Sequence, residues 1–223
     1  MKHELFQGEA FLNTLKAKYE VTENDCREFS SFSKKGLHFQ AKSYEFGNIG
    51  HYCILTMNGM LGLMKMETLV FSVYGKDVPL FNIDSVTVFK QRTQLMEFYD
   101  TRLSDSAESA MIPYFKIKER DNDLPDYISG EHWYDSILLP CSYGKKAKGK
   151  DARLIQSSED YFGAYLDELK QAKECDVNKK KEKNRAFAEG LLNNGGPAVD
   201  QVTKLFGKEF AETLILDIMY GVK

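Results

Sequence analysis

The sequence predicts an α/β protein, an α/β/α sandwich whose central, mostly antiparallel sheet is flanked by helices. Residues 37–103 contain consecutive short β-type runs separated by tight-turn residues, which is typical of antiparallel strands rather than of βαβ crossovers. Apolar residues recur at helical spacing over residues 4–20. Helical patterns return after residue 157 and continue towards the C-terminus.

The first helix is expected over residues 4–20, where the apolar positions include Leu5, Phe6, Leu15 and Tyr19. The strands that follow are predicted at about 37–44, 51–57, 66–74, 81–90 and 93–100. Asn58 followed by Gly59 is a strong hairpin signal, because both residues tolerate positive φ. Residues 105–131 are acidic and rich in turn residues, with room for one short helix, and residues 132–140 return to a strand.

The C-terminal part is predicted to be helical. A helix over 157–175 begins at Ser157 or Ser158, with acidic residues in its first turn. A second helix follows the basic stretch 179–185 and ends at Gly195, and the last spans 198–220. Helices 4–20 and 157–175 are expected on opposite faces or flanks of the sheet.

Length and composition favour one domain over residues 1–223. The chain is 43% hydrophobic and 13% aromatic, enough for a large core and for a planar apolar ligand. No stretch approaches the ~20 apolar residues of a membrane span, so no membrane partner is expected. The four cysteines form no Cys-x-x-Cys pair, and the N-terminus begins without an apolar run. Reduced thiols and a cytoplasmic location are therefore predicted.

Several classes of site are disfavoured. No histidine pair has metal-ligand spacing, so a metal site is not expected. The sequence also has no dinucleotide fingerprint, phosphate loop or nucleophile elbow.

Asp84 is the main candidate for chemistry. It is the one acidic residue of the apolar run 78–89, on a predicted middle strand. Such a carboxylate is either solvated at a strand end or held in an apolar pocket, where burial raises its pKa and lets it donate a proton near neutrality. Glu67 is the second candidate, because strand alternation places it on a face with Leu69 and Phe71. Simple solvent exposure is the alternative for Glu67.

Two segments carry a family resemblance. Phe71 stands upstream of Pro79-Leu80-Phe81-Asn82-Ile83-Asp84, and residues 202–212 contain a Phe-Gly-x-x-(aromatic)-Ala break. In order and spacing both resemble the ferredoxin-dependent bilin reductases, which reduce linear tetrapyrroles such as biliverdin. The sequence departs from the family at Glu67, where a His is usual, and at Leu55, where a Glu is usual. Asn193 and Asn194 stand where the family often has an Asn-Asp pair.

The resemblance implies reduction of a biliverdin-type bilin with proton donation by Asp84, which Glu67 or water would replenish. It implies no bound cofactor and reduced ferredoxin, or flavodoxin, as electron donor. The catalytic positions are then Asp84 and Glu67. The side chain of Asp84 is expected to point into a pocket, close to an apolar wall formed by Leu69 and Phe71. The substrate-binding positions implied by the resemblance are Leu69, Phe71, Phe81, Asn193 and Asn194. Two alternatives stay open: a non-catalytic tetrapyrrole carrier, favoured by the missing family Glu and His, and an enzyme that acts on an unrelated ligand.

Two lysine clusters stand out in a chain of net charge −3, one in a predicted Gly-containing loop over 145–150 and one over 179–185. Each is either a solvated face or a docking site for an acidic donor. Nucleic acid is not expected, because aromatic residues are not interleaved with the lysines.

Overall fold

The computed structural model describes residues 6–105, 108–128, 130–149 and 151–223. One sheet of eight strands forms its centre. The strands are β1 (Val21–Glu23), β2 (Phe32–Lys34), β3 (Leu37–Phe46), β4 (Gly50–Gly59), β5 (Met64–Val73), β6 (Leu80–Val88), β7 (Gln91–Tyr99) and β8 (Tyr143–Lys148). The helices are α1 (Gly8–Lys18), α2 (Ile112–Arg120), α3 (Asp151–Gln171), α4 (Val177–Asn194), α5 (Pro197–Phe206) and α6 (Lys208–Thr213), followed by a π-helical segment, Leu214–Met219.

The sheet has the order β1-β3-β4-β5-β6-β7-β8, with β2 paired to the free end of β3 beside β1. All these strand pairs are antiparallel. The predicted sandwich with a central antiparallel sheet is therefore confirmed. Among the described residues, no helix combines the length and the apolar character needed to cross a membrane.

One face of the sheet packs against α1 and α3. Phe11 of α1 stacks on Phe162 of α3, with ring centroids 4.1 Å apart, and Phe162 in turn contacts Phe71 of β5. We call this side the α1/α3 face. The expectation that the first helix and the helix after residue 157 lie on opposite faces or flanks of the sheet is wrong, because their apolar side chains pack against each other on one face.

The other face packs against α4, α5, α6 and the π-helical segment, and we call it the C-terminal face. Asn184 fixes α4 to the sheet, since its Nδ2 atom donates to Ser72 Oγ (3.2 Å) and to the Val73 carbonyl (2.9 Å). The predicted last helix is broken at Gly207, whose φ of 97° a side chain would disfavour. This break lets α6 turn back over the sheet.

Several further element predictions are wrong. The basic stretch 179–185 lies inside α4 rather than before it, and Asn58 and Gly59 end β4, so that the turn follows at residues 60–63. Residues 143–148, read as part of a basic loop, form the edge strand β8, which pairs with β7. Residues 132–140 do not form a strand and contribute only an isolated bridge, between Leu138 and Tyr99. Helix α3 begins at Asp151, so Ser157 and Ser158 lie inside it. Their hydroxyls bond to Asp121 (2.5 Å) and to Gln7 instead of capping a helix.

Candidate functional site

Part of the C-terminal face is left open. Where β5, β6 and β7 approach the turns that join β4 to β5 and β6 to β7, the helices no longer cover the sheet. The residues of this open patch are all partly exposed: Met64, Met66, Asp84, Val86, Val88, Thr93, Leu95 and Glu97. At the same level, the residues on the α1/α3 face are buried: Glu67, Ser85, Arg92 and Gln94. The sheet thus offers a mainly apolar floor with two acids at its inner end.

Asp84 lies on this floor, directly across the ladder from Thr68 of β5. The Thr68 hydroxyl donates a short hydrogen bond to the Asp84 carboxylate. Part of the residue reaches solvent, but the surrounding chain desolvates the carboxyl group. Burial raises the pKa of Asp84 to about 6, against the lowering effect of the bond from Thr68. Asp84 therefore holds a proton in mildly acidic solution and can release it near neutrality.

Glu97 of β7 is a second acid on the same floor. Asp84 pairs with Leu95, so Glu97 lies on the diagonal two residues further along the neighbouring strand, roughly 7–8 Å away by sheet geometry. Burial, and then the charge of Asp84, raise the pKa of Glu97 to about 7, although Tyr99 donates a hydrogen bond to its carboxylate (2.8 Å). The two groups form a coupled pair of weak acids on one surface.

Polar and aromatic side chains surround this acid pair. Asn82 Nδ2 donates to the Tyr220 hydroxyl (2.9 Å), and Asn82 Oδ1 is buried with no hydrogen-bond partner among the described residues. Tyr134 packs edge-on against Tyr99 and stacks on His132. The Nε2 atom of His132 is likewise buried and unpaired within the described chain. Two buried polar atoms are thus left available to a ligand beside the acids.

Glu67 does not belong to this site. It lies on the α1/α3 face, where its carboxylate accepts hydrogen bonds from the backbone N–H groups of Gln7 (2.7 Å) and Gly8 (3.1 Å) at the start of α1. Burial raises its pKa. The expectation that Glu67 is the like-charged neighbour of Asp84 and replenishes its proton is wrong. Adjacent residues of a strand point to opposite faces, so the residue facing Asp84 is Thr68, and Glu97 is the acidic neighbour.

The expected apolar wall also lies on the other face. Leu69, Phe71 and Phe81 are buried under α1 and α3, where Phe71 and Phe81 stack 5.5 Å apart and both contact Tyr165. The expectation that they lie beside Asp84 is therefore wrong, and their role in substrate binding stays a prediction. The apolar residues on the face of Asp84 are those of the open patch.

Asn193 and Asn194 are exposed at the end of α4. The neighbouring Gly195 carbonyl accepts a hydrogen bond from Trp133 Nε1 (3.0 Å), which brings the end of this helix close to the segment that carries His132 and Tyr134. The structure thus places both asparagines near the segment that carries His132 and Tyr134, and their role in substrate binding stays a prediction.

A cavity lies elsewhere in the molecule, and Asp84 is not among the residues that line it. That cavity, about 670 Å³, lies between α2, α3 and the segment after β7, and its lining includes Asp77, Arg102 and Glu168. Asp84 instead faces the open patch, which is a shallow floor between the helices of the C-terminal face and the turns of the sheet.

The two lysine clusters are partly structural. Lys145 is buried and pairs with Asp126 (2.7 Å), and Lys180 is buried with its Nζ atom bonded to the Thr101 hydroxyl (2.6 Å) and carbonyl (2.9 Å). Neither is free to dock a partner. Lys148 and Lys179 are exposed.

Sequence reasoning missed Glu97, although a signal was present. In β7, Glu97 shares a strand face with Leu95 and Tyr99, so it is an acid between two largely apolar side chains. This is the rule that drew attention to Glu67. Applied to β7, it would have identified the second acid.

Comparisons with known proteins support the fold. No family model matches the sequence, and no curated protein matches it. Among solved structures, a crystal structure of phytochromobilin synthase from tomato, in complex with biliverdin, matches with a TM-score of 0.76 over 96% of this chain and 81% of that chain. The chain shares the fold of phytochromobilin synthase. Sequence identity is 13%, so the resemblance to bilin reductases is confirmed as a resemblance of fold.

Proposed function

We propose that this protein binds a linear tetrapyrrole of the biliverdin type on the open patch of the C-terminal face and reduces it. The observation that carries the proposal is the pair Asp84 and Glu97, two carboxyl groups with raised pKa values on one apolar sheet surface. The shared fold with an enzyme whose crystal structure contains biliverdin supports the choice of ligand.

The patch suits a planar, mostly apolar ligand with a polar inner edge. Met66, Val86 and Leu95 provide apolar contacts for the pyrrole rings. The buried, unpaired Oδ1 atom of Asn82 can accept a hydrogen bond from a pyrrole N–H. His132 Nε2 can accept or donate, depending on the tautomer, and is within the same aromatic surround. A bilin would therefore satisfy polar atoms that the protein leaves unpaired.

Proton supply is the role of the two acids. Reduction of one double bond of a bilin consumes two electrons and two protons. Asp84, protonated below about pH 6, and Glu97, protonated below about pH 7, each carry one transferable proton under mildly acidic conditions. A bound bilin desolvates both groups further, which favours their protonated forms. Solvent at the open side of the patch reprotonates them.

Electrons would come from a protein donor, with no cofactor bound by this chain. We propose reduced ferredoxin, or flavodoxin, which delivers electrons one at a time. We place the reaction in the cytoplasm, in keeping with the four free thiols of Cys26, Cys53, Cys141 and Cys175.

One observation favours a non-catalytic tetrapyrrole carrier as the second candidate. Leu55, at the position where the resembled family usually has a Glu, belongs to the apolar core of the C-terminal face, and Asp84 is faced by an uncharged threonine. A carrier needs the patch and its unpaired polar atoms but not the proton donors.

Absorption spectroscopy separates these functions. The protein is mixed with biliverdin, the visible spectrum is recorded, and reduced ferredoxin with its reductase is then added. A shifted bilin spectrum that bleaches or moves to a new maximum only with the donor supports the reductase. A shifted spectrum that the donor leaves unchanged supports the carrier, and an unshifted spectrum at every protein concentration rejects tetrapyrrole binding.

A further inference from the structure

Two turns at one end of the sheet expose large apolar side chains. The connection between β4 and β5 carries Met60, Leu61 and Leu63, and the turn between β6 and β7 carries Phe89. Leu61 is fully exposed, and the other three are 48–57% exposed. The Phe89 N–H donates to the Leu63 carbonyl (3.1 Å), so the two turns form one surface. We call these four residues the hairpin tip.

The backbone at the hairpin tip adopts conformations that large apolar residues disfavour. Met60 and Leu61 have φ values of 51° and 54°, and Phe89 and Lys90 have values of 47° and 67°. Positive φ at both residues of a two-residue turn is normally met by Asn-Gly. A bulky apolar residue in this region costs conformational energy. The chain therefore keeps large apolar groups in solvent where smaller polar ones would fit the fold better.

Positive charge surrounds the hairpin tip, in a chain whose net charge is −3. Residues 58–66 and 86–92, which form the two hairpin ends, contain no Asp or Glu. Lys65 and Lys90 lie on them, exposed Lys35 lies in the turn between β2 and β3, and exposed Lys148 ends β8. Because the strands are antiparallel, these positions all fall at the same end of the sheet.

We propose that the hairpin tip and its lysines dock on an anionic lipid surface. Apolar side chains at projecting turns can enter the boundary between headgroups and acyl chains, while flanking lysines pair with anionic headgroups. The exposed end of a hairpin presents side chains rather than a groove, which suits insertion into a fluid surface. The expectation of no membrane partner rested on the absence of a spanning segment, and a surface contact does not need one.

Vesicle co-sedimentation of the full chain tests this proposal. The protein is mixed with vesicles of phosphatidylcholine alone, or of phosphatidylcholine with phosphatidylserine, at low and at high salt. We expect sedimentation with the anionic vesicles at low salt, little with the neutral ones, and release as salt screens the lysines. Equal binding to both vesicle types, or no binding to the anionic ones, overturns the proposal.

Variants locate the contact. Leu61→Asp with Phe89→Asp should abolish sedimentation, and Lys65→Glu with Lys90→Glu should weaken it by more than about 25-fold, since each lysine near an anionic surface contributes about fivefold. Ile112→Asp changes an apolar residue of α2 that is about as exposed as Phe89 (51% against 57%); it is the control and should bind as wild type. Wild-type binding by the Leu61→Asp, Phe89→Asp variant would overturn the assignment.

A further double variant tests the same contact in case the aspartate substitutions disrupt folding. Phe89→Asn with Lys90→Gly gives the turn the residues that positive φ favours, so its melting temperature should rise while its vesicle binding falls. A more stable protein that still sediments as wild type counts against the proposal. Retention of the wild type on immobilised polyglutamate, with no vesicle binding, would assign the surface to an acidic protein instead.

Discussion

The carboxyl groups of Asp84 and Glu97 lie diagonally across β6 and β7 on one face of the sheet, and burial, followed by the charge of Asp84, raises the pKa of Glu97. Neither acid has a cationic partner among the groups that shift its pKa. An acid pair that serves stability usually has a basic partner or several donors, because an unpaired buried charge is costly. Two acids whose charge no basic group balances, beside buried polar atoms that lack hydrogen-bond partners, are instead a feature of functional sites.

Removal of the Asp84 proton should slow reduction without preventing binding. Asp84→Asn keeps the shape and a hydrogen-bond acceptor for Thr68, so we expect a biliverdin affinity close to wild type. General acid catalysis contributes ~10²–10⁴-fold, and single-turnover bleaching should slow by about that factor. Glu97→Gln tests the second proton in the same assay. Bilin reduction at wild-type speed by both variants would refute the proposed proton donors.

The acid pair should also make folding stability depend on pH. The pKa of Asp84 is about 6 in the folded protein against 3.8 ordinarily, and that of Glu97 is about 7 against 4.5. Below about pH 4 both states hold these protons. Between about pH 4 and 7 the unfolded chain releases protons that the folded state keeps, so stability falls as pH rises, by at most about 1.4 kcal/mol per pH unit and group.

Urea unfolding of the wild type and of the Asp84→Asn, Glu97→Gln double variant, at several pH values across this window, measures the effect. The double variant cannot titrate at these two positions, so its stability should vary less steeply with pH. Parallel curves for the two proteins would show that the pair does not hold its protons in the folded state.

The sheet was predictable because its strands carry clear local signals. Residues 37–103 alternate β-formers with turn residues, and the structure has β3 to β7 there. Strand β8 was not predicted, because its sequence, Tyr-Gly-Lys-Lys-Ala-Lys, is rich in lysine and is typical of a solvent-exposed loop. Lys145 instead pairs with Asp126 and donates a hydrogen bond to the Leu124 carbonyl, two partners that are remote in sequence.

The site was only half predictable for a similar reason. The alternation of side chains along a strand correctly places neighbouring residues on opposite faces of the sheet. It does not predict which face the helices leave open. Asp84 and Phe71 both looked like pocket residues, and only the packing of α1 and α3 over Phe71 places the two on opposite sides. Long-range packing of helices, which no local pattern reports, decided where the open patch lies.

Glu67 should matter for stability rather than for chemistry. Its carboxylate accepts from the N–H groups of Gln7 and Gly8 at the positive end of α1. Glu67→Gln keeps one acceptor oxygen and removes the charge, so we expect a loss on the order of 1–2 kcal/mol in the free energy of unfolding. The rate of bilin reduction per folded molecule should be unchanged. Glu9→Gln, an exposed neighbour in α1, is the control and should be close to neutral.

The two faces of the sheet should respond differently to a change of side-chain volume. Val86 lies on the open patch two residues from Asp84, so Val86→Trp would occupy the floor without entering a packed core. We expect biliverdin affinity to fall more than about tenfold, because steric overlap costs at least ~1.4 kcal/mol, while the melting temperature stays near that of the wild type.

Phe71→Ala, under α1 and α3, should do the reverse. It should cost about 3–5 kcal/mol of stability through the cavity it leaves, with the affinity of the remaining folded protein retained. Spectral titration with biliverdin and thermal unfolding of both variants decide the matter. If Phe71→Ala lost binding while Val86→Trp kept it, the ligand would lie on the α1/α3 face and the proposed site would be wrong.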